Sequence, residues 1–257
     1  MRAACCEATV LSHESILPDI RLLRALWPAR EHAPHAGQFF TLRAWGADEA
    51  PFLSRPISVH KWEPETQTIE FLYQVIGEGT QKIAQLKKGD SFQLTGPMGN
   101  GFDIPALVKQ YRKIAVVGCC IGTAPMYQVT RELAAAGVKP DVFFGFRDAP
   151  YCMEEYRSIA NLVKVSTDTG AVGFHGFVTQ LYDPADYDAV LICGPTVMMK
   201  NAARLCAEKG TPCFVSLEKK MACGIGACLG CTCETKGGEG KSVCKNGPVF
   251  DATEVFF

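Results

Sequence analysis

Apolar and polar positions alternate along Thr68-Ile69-Glu70-Phe71-Leu72-Tyr73-Gln74-Val75, the period of two that predicts a half-buried strand. Phe39-Phe40-Thr41-Leu42 and Pro56-Ile57-Ser58-Val59-His60 are two more short strands, and Gly46, Asp48, Pro64 and Gly77 interrupt the runs. Lys87-Lys88-Gly89-Asp90 forms a turn into a strand from Ser91 to Leu94. Strands packed this closely, with no helix between them, predict an antiparallel β-barrel over residues 1–102. The turn-rich Gly96-Pro97-Met98-Gly99-Asn100-Gly101-Phe102 closes it.

Beyond that point the pattern changes. Lys113-Ile114-Ala115-Val116-Val117-Gly118 is a continuous apolar run, as a strand buried on both faces of a parallel sheet requires. A glycine-containing loop follows, then a helix from Met126 to Ala136 that Gly137 ends. Further buried strands are expected at Asp141–Gly145, Leu162–Val165, Ala189–Cys193 and Cys213–Leu217, with a helix from Val197 to Lys209 stopped by Gly210. Strands alternating with helices predict an α/β nucleotide-binding domain over 103–212. Residues 213–257 are rich in glycine and cysteine with little periodicity, which reads as a segment organised by a ligand.

A net charge of -1 argues against a nucleic-acid partner, whose phosphates demand a strong basic excess. No stretch approaches the roughly 20 apolar residues of a membrane span, and Met1 to Arg24 lacks the apolar run of a secretory signal. A cytoplasmic protein is expected. The 13 cysteines are an odd number, which does not suit a disulfide framework in that compartment.

Four of them stand as Cys223-x4-Cys228-x2-Cys231-x12-Cys244. A [2Fe–2S] cluster takes four thiolates, two on each iron, and the first three follow the plant-type ferredoxin spacing. Gly224, Gly226 and Gly230 let the backbone wrap closely and turn N–H groups toward the sulfurs. A structural zinc site is the alternative for four cysteines; the glycine-rich loop favours the cluster. Cys233 is a fifth cysteine whose spacing as a substitute for Cys231 fits less well.

Arg55-Pro56-Ile57-Ser58 lies on a barrel strand, where Arg55 can hold a pyrophosphate and the Ser58 hydroxyl can reach a flavin ring nitrogen. Gly77-Glu78-Gly79-Thr80 opens a helix whose first N–H groups suit a phosphate. In the α/β domain, Gly118-Cys119-Cys120-Ile121-Gly122-Thr123-Ala124-Pro125 occupies the place of a nucleotide loop, although the G-x-G-x-x-G fingerprint is absent. Cys193-Gly194-Pro195 ends a later strand at the same sheet edge. Cys193 reads equally as a packing residue or as a nicotinamide contact.

Together these motifs resemble the ferredoxin–NADP reductase superfamily: an FAD barrel with Arg-Pro-x-Ser, then a nicotinamide domain with a glycine loop and Cys-Gly-Pro. With Ser216-Leu217-Glu218 leading into Met221-Ala222-Cys223-Gly224-Ile225-Gly226-Ala227-Cys228, the chain resembles the electron-transfer subunits of NAD-dependent (class 1B) dihydroorotate dehydrogenases over essentially its whole length. That resemblance implies an FAD-binding barrel, an NAD-binding α/β domain and a [2Fe–2S] segment. It implies FAD contacts at Arg55, Pro56, Ile57, Ser58, Leu72, Tyr73, Gln74, Gly79 and Thr80. Nicotinamide contacts are expected at Gly118, Gly122, Thr123, Cys193, Gly194 and Pro195, and cluster ligands at Cys223, Cys228, Cys231 and Cys244. The partner implied is an FMN-containing catalytic subunit, two of each forming a heterotetramer in pyrimidine biosynthesis. One departure stands out, since Cys119 and Cys120 occupy positions where relatives usually carry glycines, and side chains there face the pyrophosphate.

Electron counting assigns the cofactors their order. A cluster carries one electron at a time, a nicotinamide takes a hydride, and a flavin handles both. Dihydroorotate would reduce FMN in the partner, and electrons would pass through the cluster and FAD to NAD. No residue of this chain needs to act as acid or base. His13, His32, His35, His60 and His175 show no ligand spacing and read as structural or surface groups. The partner is expected near the cluster, where Lys236, Lys241 and Lys245 either line a docking surface or are simply solvated. Two rivals remain: a subunit of another NAD(P)H:ferredoxin- or sulfide-linked flavin iron–sulfur oxidoreductase, and a non-catalytic zinc-binding interaction module.

Overall fold

The computed structural model describes residues 3–256. Seven strands build the first sheet: β1 (Ala4–Ser15), β2 (Ile20–Leu26), β3 (Phe39–Arg43), β4 (Arg55–Ser58), β5 (Lys61–Glu63), β6 (Thr68–Gln74) and β7 (Ser91–Met98). Every pairing is antiparallel, in the order β4-β3-β7-β1-β2-β6-β5. The sheet curls until β4 lies against β6, and a short helix α1 (Glu78–Ala84) crosses from β6 toward β7. Its concave side is filled by Leu23, Trp27, Phe40, Leu42, Ile69, Phe71 and Leu94. Phe40 meets Trp27 and Phe71 edge-on, the geometry aromatic quadrupoles favour.

The expected strands at 39–42, 56–60, 68–75 and 91–94 are all present, with β7 running four residues further than expected. Missing from the sequence expectation are β1 and β2. Along β1 the fully buried positions are Ala8 and Val10, too small for a clear alternation. In β2 both faces are buried: Leu23 and Ala25 enter the barrel core, while Ile20 and Leu22 join the core shared with the next domain.

Helix α2 (Ile104–Gln110), capped by the Asp103 side chain accepting from Ala106 N–H at 3.1 Å, leads out of the barrel. The second sheet then follows the alternating pattern: β8 (Ile114–Cys119), α3 (Met126–Ala135), β9 (Asp141–Phe146), α4 (Glu154–Arg157), β10 (Leu162–Thr167), β11 (Phe174–His175), β12 (Ala189–Cys193), α5 (Thr196–Lys209) and β13 (Cys213–Ser216). After the hairpin β14 (Thr232–Glu234) and β15 (Gly240–Ser242), β16 (Val249–Asp251) returns antiparallel beside β13. The order is β11-β10-β9-β8-β12-β13-β16. From β8 the chain moves first to β9 on one side and later to β12 on the other, so β8 marks the topological switch where open α/β sheets bind ligands. Among the described residues no helix is long and apolar enough to cross a membrane.

Helix α3 fastens the two sheets together. The Glu132 carboxylate accepts from Ala36 N–H and from the Gln128 amide, both at 2.9 Å, and Gln128 in turn accepts from Trp62 N–H at 3.0 Å. Arg131 donates to the Trp62 carbonyl and to Glu63. His60, fully buried, stacks on Tyr127 and donates from Nδ1 to the Ala124 carbonyl at 2.7 Å. Because Ala36 is wholly buried, Glu132→Ala strands its N–H without a partner. A loss of about 1–3 kcal/mol is expected, a fall in Tm of roughly 2–12 °C for a chain of this size. Thermal denaturation of the variant checks this, and an unchanged Tm would show that the contact does not hold the two sheets together.

Candidate functional site

A cleft of about 260 Å³ lies where the barrel, the switch point and the C-terminal segment meet. From the barrel come Arg55, Pro56, Ile57 and Ser58 on β4, Leu72, Tyr73 and Gln74 on β6, and Thr80 on α1. From the switch point come Ile121, Ala124 and Pro125, and from the stretch after β13 come Ser216, Leu217, Glu218, Lys219 and Met221. Eight of the nine residues expected to touch a flavin therefore line one cavity.

The ninth, Gly79, acts through what it lacks. A Cβ built on it would stand 2.3 Å from Nε and 2.6 Å from Cζ of Arg55, so the guanidinium lies directly on the bare backbone of the first turn of α1. Arg55 is otherwise held by the Leu53 carbonyl and by the face of Trp45, 5.7 Å from the ring centroid. Among the described residues no carboxylate pairs with it. A guanidinium held free of acidic partners over a run of backbone N–H groups fits a pyrophosphate. The Thr80 hydroxyl is spent locally, accepting from Ile76 and Gly77 N–H and donating to the Gly77 carbonyl. Tyr73 is anchored through its hydroxyl to His13 Nε2 at 3.0 Å.

At the switch point the expected nicotinamide residues converge. A Cβ on Gly122 would meet Gly194 Cα at 2.5 Å and the Cys193 carbonyl at 2.6 Å, so the two loops touch because position 122 is glycine. Thr123 is pinned by its hydroxyl to the Cys120 carbonyl, and its own carbonyl accepts from the Tyr156 hydroxyl. Cys193 is buried, and burial pushes its thiol well above the ordinary value, so it stays protonated beside Ser216 and Glu218.

Glu218 also lines the cleft, a position the sequence reading left without a role. Its side chain is exposed in the cleft, and desolvation by the protein around it raises its pKa. Below the raised value the group is neutral; as pH rises through it, a negative charge appears in the cleft. An anionic dinucleotide is then repelled, so KM for NADH is expected to climb with pH in the wild type and to be flatter in Glu218→Gln. Steady-state KM measured across pH in both chains tests this, and equal slopes would exclude the carboxyl as the cause.

The four expected cluster cysteines fall as two pairs. The Cys223 and Cys228 thiols interact on the outer side, those of Cys231 and Cys244 on the buried side. Four N–H groups point at sulfurs: Gly226 to Cys244 at 3.1 Å, Cys228 to Cys223 at 3.3 Å, Cys244 to Cys231 at 3.4 Å and Gly230 to Cys228 at 3.5 Å. The Cys228 and Ile225 N–H groups pull the Cys223 thiol down to about 6, while burial pushes Cys244 up to about 12. Among the described residues no three His, Cys, Asp or Glu side chains form a site for a metal ion as they stand. Two thiol pairs with N–H groups aimed at their sulfurs match the donor set of a dinuclear cluster. Cys233 lies apart in the hairpin, its thiol donating to the Lys241 carbonyl at 3.3 Å. Of the three lysines, Lys241 is paired with Glu254 at 2.8 Å, and the Lys245 stem packs where a Gly226 Cβ would stand.

Comparison with known proteins agrees with this geometry. Residues 218–256 match the iron-sulfur cluster binding domain of dihydroorotate dehydrogenase B. The chain is 43% identical over 219 residues to the dihydroorotate dehydrogenase B (NAD(+)) electron transfer subunit of Clostridium acetobutylicum, covering 85% of each chain. It is 38% identical over 256 residues to the subunit of that name from Caldanaerobacter subterraneus subsp. tengcongensis, covering 98% of each. A chain in the structure of an NADH-dependent reduced ferredoxin-NADP oxidoreductase superposes with a TM-score of 0.85 at 27% identity, covering 96% of this chain and 89% of that one.

Proposed function

The chain belongs to the family of electron-transfer subunits of NAD-dependent dihydroorotate dehydrogenase B, and from that membership we propose that it carries electrons from the FMN of a catalytic partner to NAD. The route is a [2Fe–2S] cluster and then FAD, in the cytoplasm, as a heterotetramer of two copies of each subunit serving pyrimidine biosynthesis. The observation that carries this reading is the stretch from Ser216 to Cys223. Met221 lines the cleft that gathers the flavin residues, and Cys223, two residues on, belongs to the cluster set. Two residues span at most about 7 Å, so the two sites are neighbours by covalent connection.

When bound, the flavin exchanges a hydride with nicotinamide and single electrons with the cluster. Arg55, on the bare backbone at Gly79, would hold the FAD pyrophosphate, while the β4 and β6 side chains would bound the ring. Gly122 and Gly194 would clear the approach for nicotinamide, and Cys193 keeps its proton, so its thiol adds no charge there. The N–H groups of Gly226, Cys228, Gly230 and Cys244 stabilise the negatively charged sulfurs, one of the levers on cluster potential. Ile225 and Leu229, at 60% and 63% exposure on the outer cluster loop, form the apolar centre against which the catalytic subunit docks.

The test is anaerobic purification with the FMN subunit and titration with dihydroorotate under visible spectroscopy. Bleaching of flavin and iron–sulfur bands, followed by NADH formation on adding NAD, is the expected result. Bleaching by NADH but not by dihydroorotate would overturn the assigned electron donor while leaving the cofactors in place.

A further inference from the structure

Cys119 and Cys120 are adjacent in sequence at the end of β8, and their sulfurs lie 3.5 Å apart. Cys120 adopts φ of +53°, a left-handed conformation that turns its side chain back beside that of its neighbour. It is exposed and Cys119 half-buried. Among the described residues one other contacting thiol pair lies outside the cluster segment, Cys206 and Cys213, and it is sealed in the core between α5 and β13. Cys119–Cys120 alone of the two is open to reagents.

The separation selects the chemistry. A disulfide needs its sulfurs at about 2.05 Å, so the pair would have to close by roughly 1.5 Å while the Thr123 hydroxyl holds the Cys120 carbonyl. One soft three-coordinate atom bridging both sulfurs needs no such closure. Charge narrows the class further. Asp168 faces both thiols and disfavours anionic reagents, whereas a neutral electrophile meets no repulsion. The hydrogen bond from Cys119 pulls the Cys120 thiol below its ordinary value, which makes it the more reactive sulfur of the pair.

We propose that Cys119 and Cys120 form a chelating modification site for neutral trivalent arsenicals, outside both the flavin cleft and the cluster. An arsenoxide R–As=O condenses with the two thiols: two As–S bonds form, the oxygen leaves as water with both thiol protons, and nothing is oxidised or reduced. The bridged group stands at the mouth of the nicotinamide crevice, because a Cβ on Gly194 would already meet Cys119 Cβ at 3.2 Å. This consequence rests on the proposed placement of nicotinamide; the chelate itself does not.

The assembled holoenzyme is treated with phenylarsine oxide, washed with excess 2-mercaptoethanol to strip singly bound arsenic, and analysed by intact and peptide mass spectrometry. One phenylarsenic group per chain is expected on the peptide holding Cys119 and Cys120, removable by a dithiol and absent from both Cys119→Ser and Cys120→Ser. Bleaching of the flavin by NADH is expected to be lost on modification and restored by the dithiol. Retention of the adduct by both variants, or its mapping to another peptide, would overturn the site. An adduct on the pair that leaves NADH bleaching unchanged would uphold the chelate and overturn the placement of the nicotinamide.

Discussion

Cys244→Ser is expected to abolish the iron–sulfur absorbance and the transfer of electrons from the partner, whereas Cys233→Ser retains both. The two cysteines are eleven residues apart, equally buried, and indistinguishable by composition or hydropathy. Their surroundings separate them. Cys244 pairs with Cys231 and receives the Gly226 N–H at 3.1 Å, so its sulfur faces the loop that carries Cys223 and Cys228. Cys233 instead donates to the Lys241 carbonyl within its own hairpin. Serine offers a poorer ligand for iron at the first position and an equivalent hydrogen-bond donor at the second. Iron content and the visible spectrum of the purified variants measure the difference, while NADH-driven reduction of the flavin, built from β4 and β6, serves as the control for folding. A Cys233→Ser chain without iron beside a Cys244→Ser chain with it would overturn the ligand assignment.

The cluster was legible in sequence because its chemistry is set by local spacing: C-x4-C-x2-C puts three thiols and their glycines into one loop, whatever the rest of the fold does. The α/β strands were legible for a similar reason, since burial on both faces leaves an unbroken apolar run such as Ile114 to Val117. Long-range relations were not. That Gly79 is a bed for Arg55, 24 residues away, follows only once β4 and α1 are neighbours. Glu218 reads as an ordinary surface acid until the cleft closes round it. The strands β1 and β2 escaped because small residues fill the barrel at Ala8 and Ala25, where volume rather than hydrophobicity decides the fit. The Cys119–Cys120 contact likewise depends on a left-handed φ at a non-glycine residue, which neighbouring residues do not announce.

Gly79→Ala is expected to weaken FAD binding while leaving the apoprotein as stable as before or more so. The added Cβ would stand 2.3 Å from Nε, 2.6 Å from Cζ and 2.8 Å from Nη2 of Arg55, so the guanidinium must move off the first turn of α1. Losing a charge-assisted hydrogen bond costs about 1.5–3 kcal/mol, a rise in the FAD Kd of roughly ten- to a hundredfold. Alanine is the better helix former by up to about 1 kcal/mol, so general damage to the fold would carry the opposite sign. Fluorescence titration of the deflavinated chain with FAD, beside its thermal denaturation, separates the two effects. Arg55→Ala should weaken FAD to a similar degree. If Gly79 acts through Arg55, adding Gly79→Ala to Arg55→Ala costs little more, the non-additivity of residues sharing one contact. Fully additive losses would mean that the backbone at Gly79 touches the cofactor on its own account. Unchanged affinity in both single variants would remove the pyrophosphate from this end of the cleft.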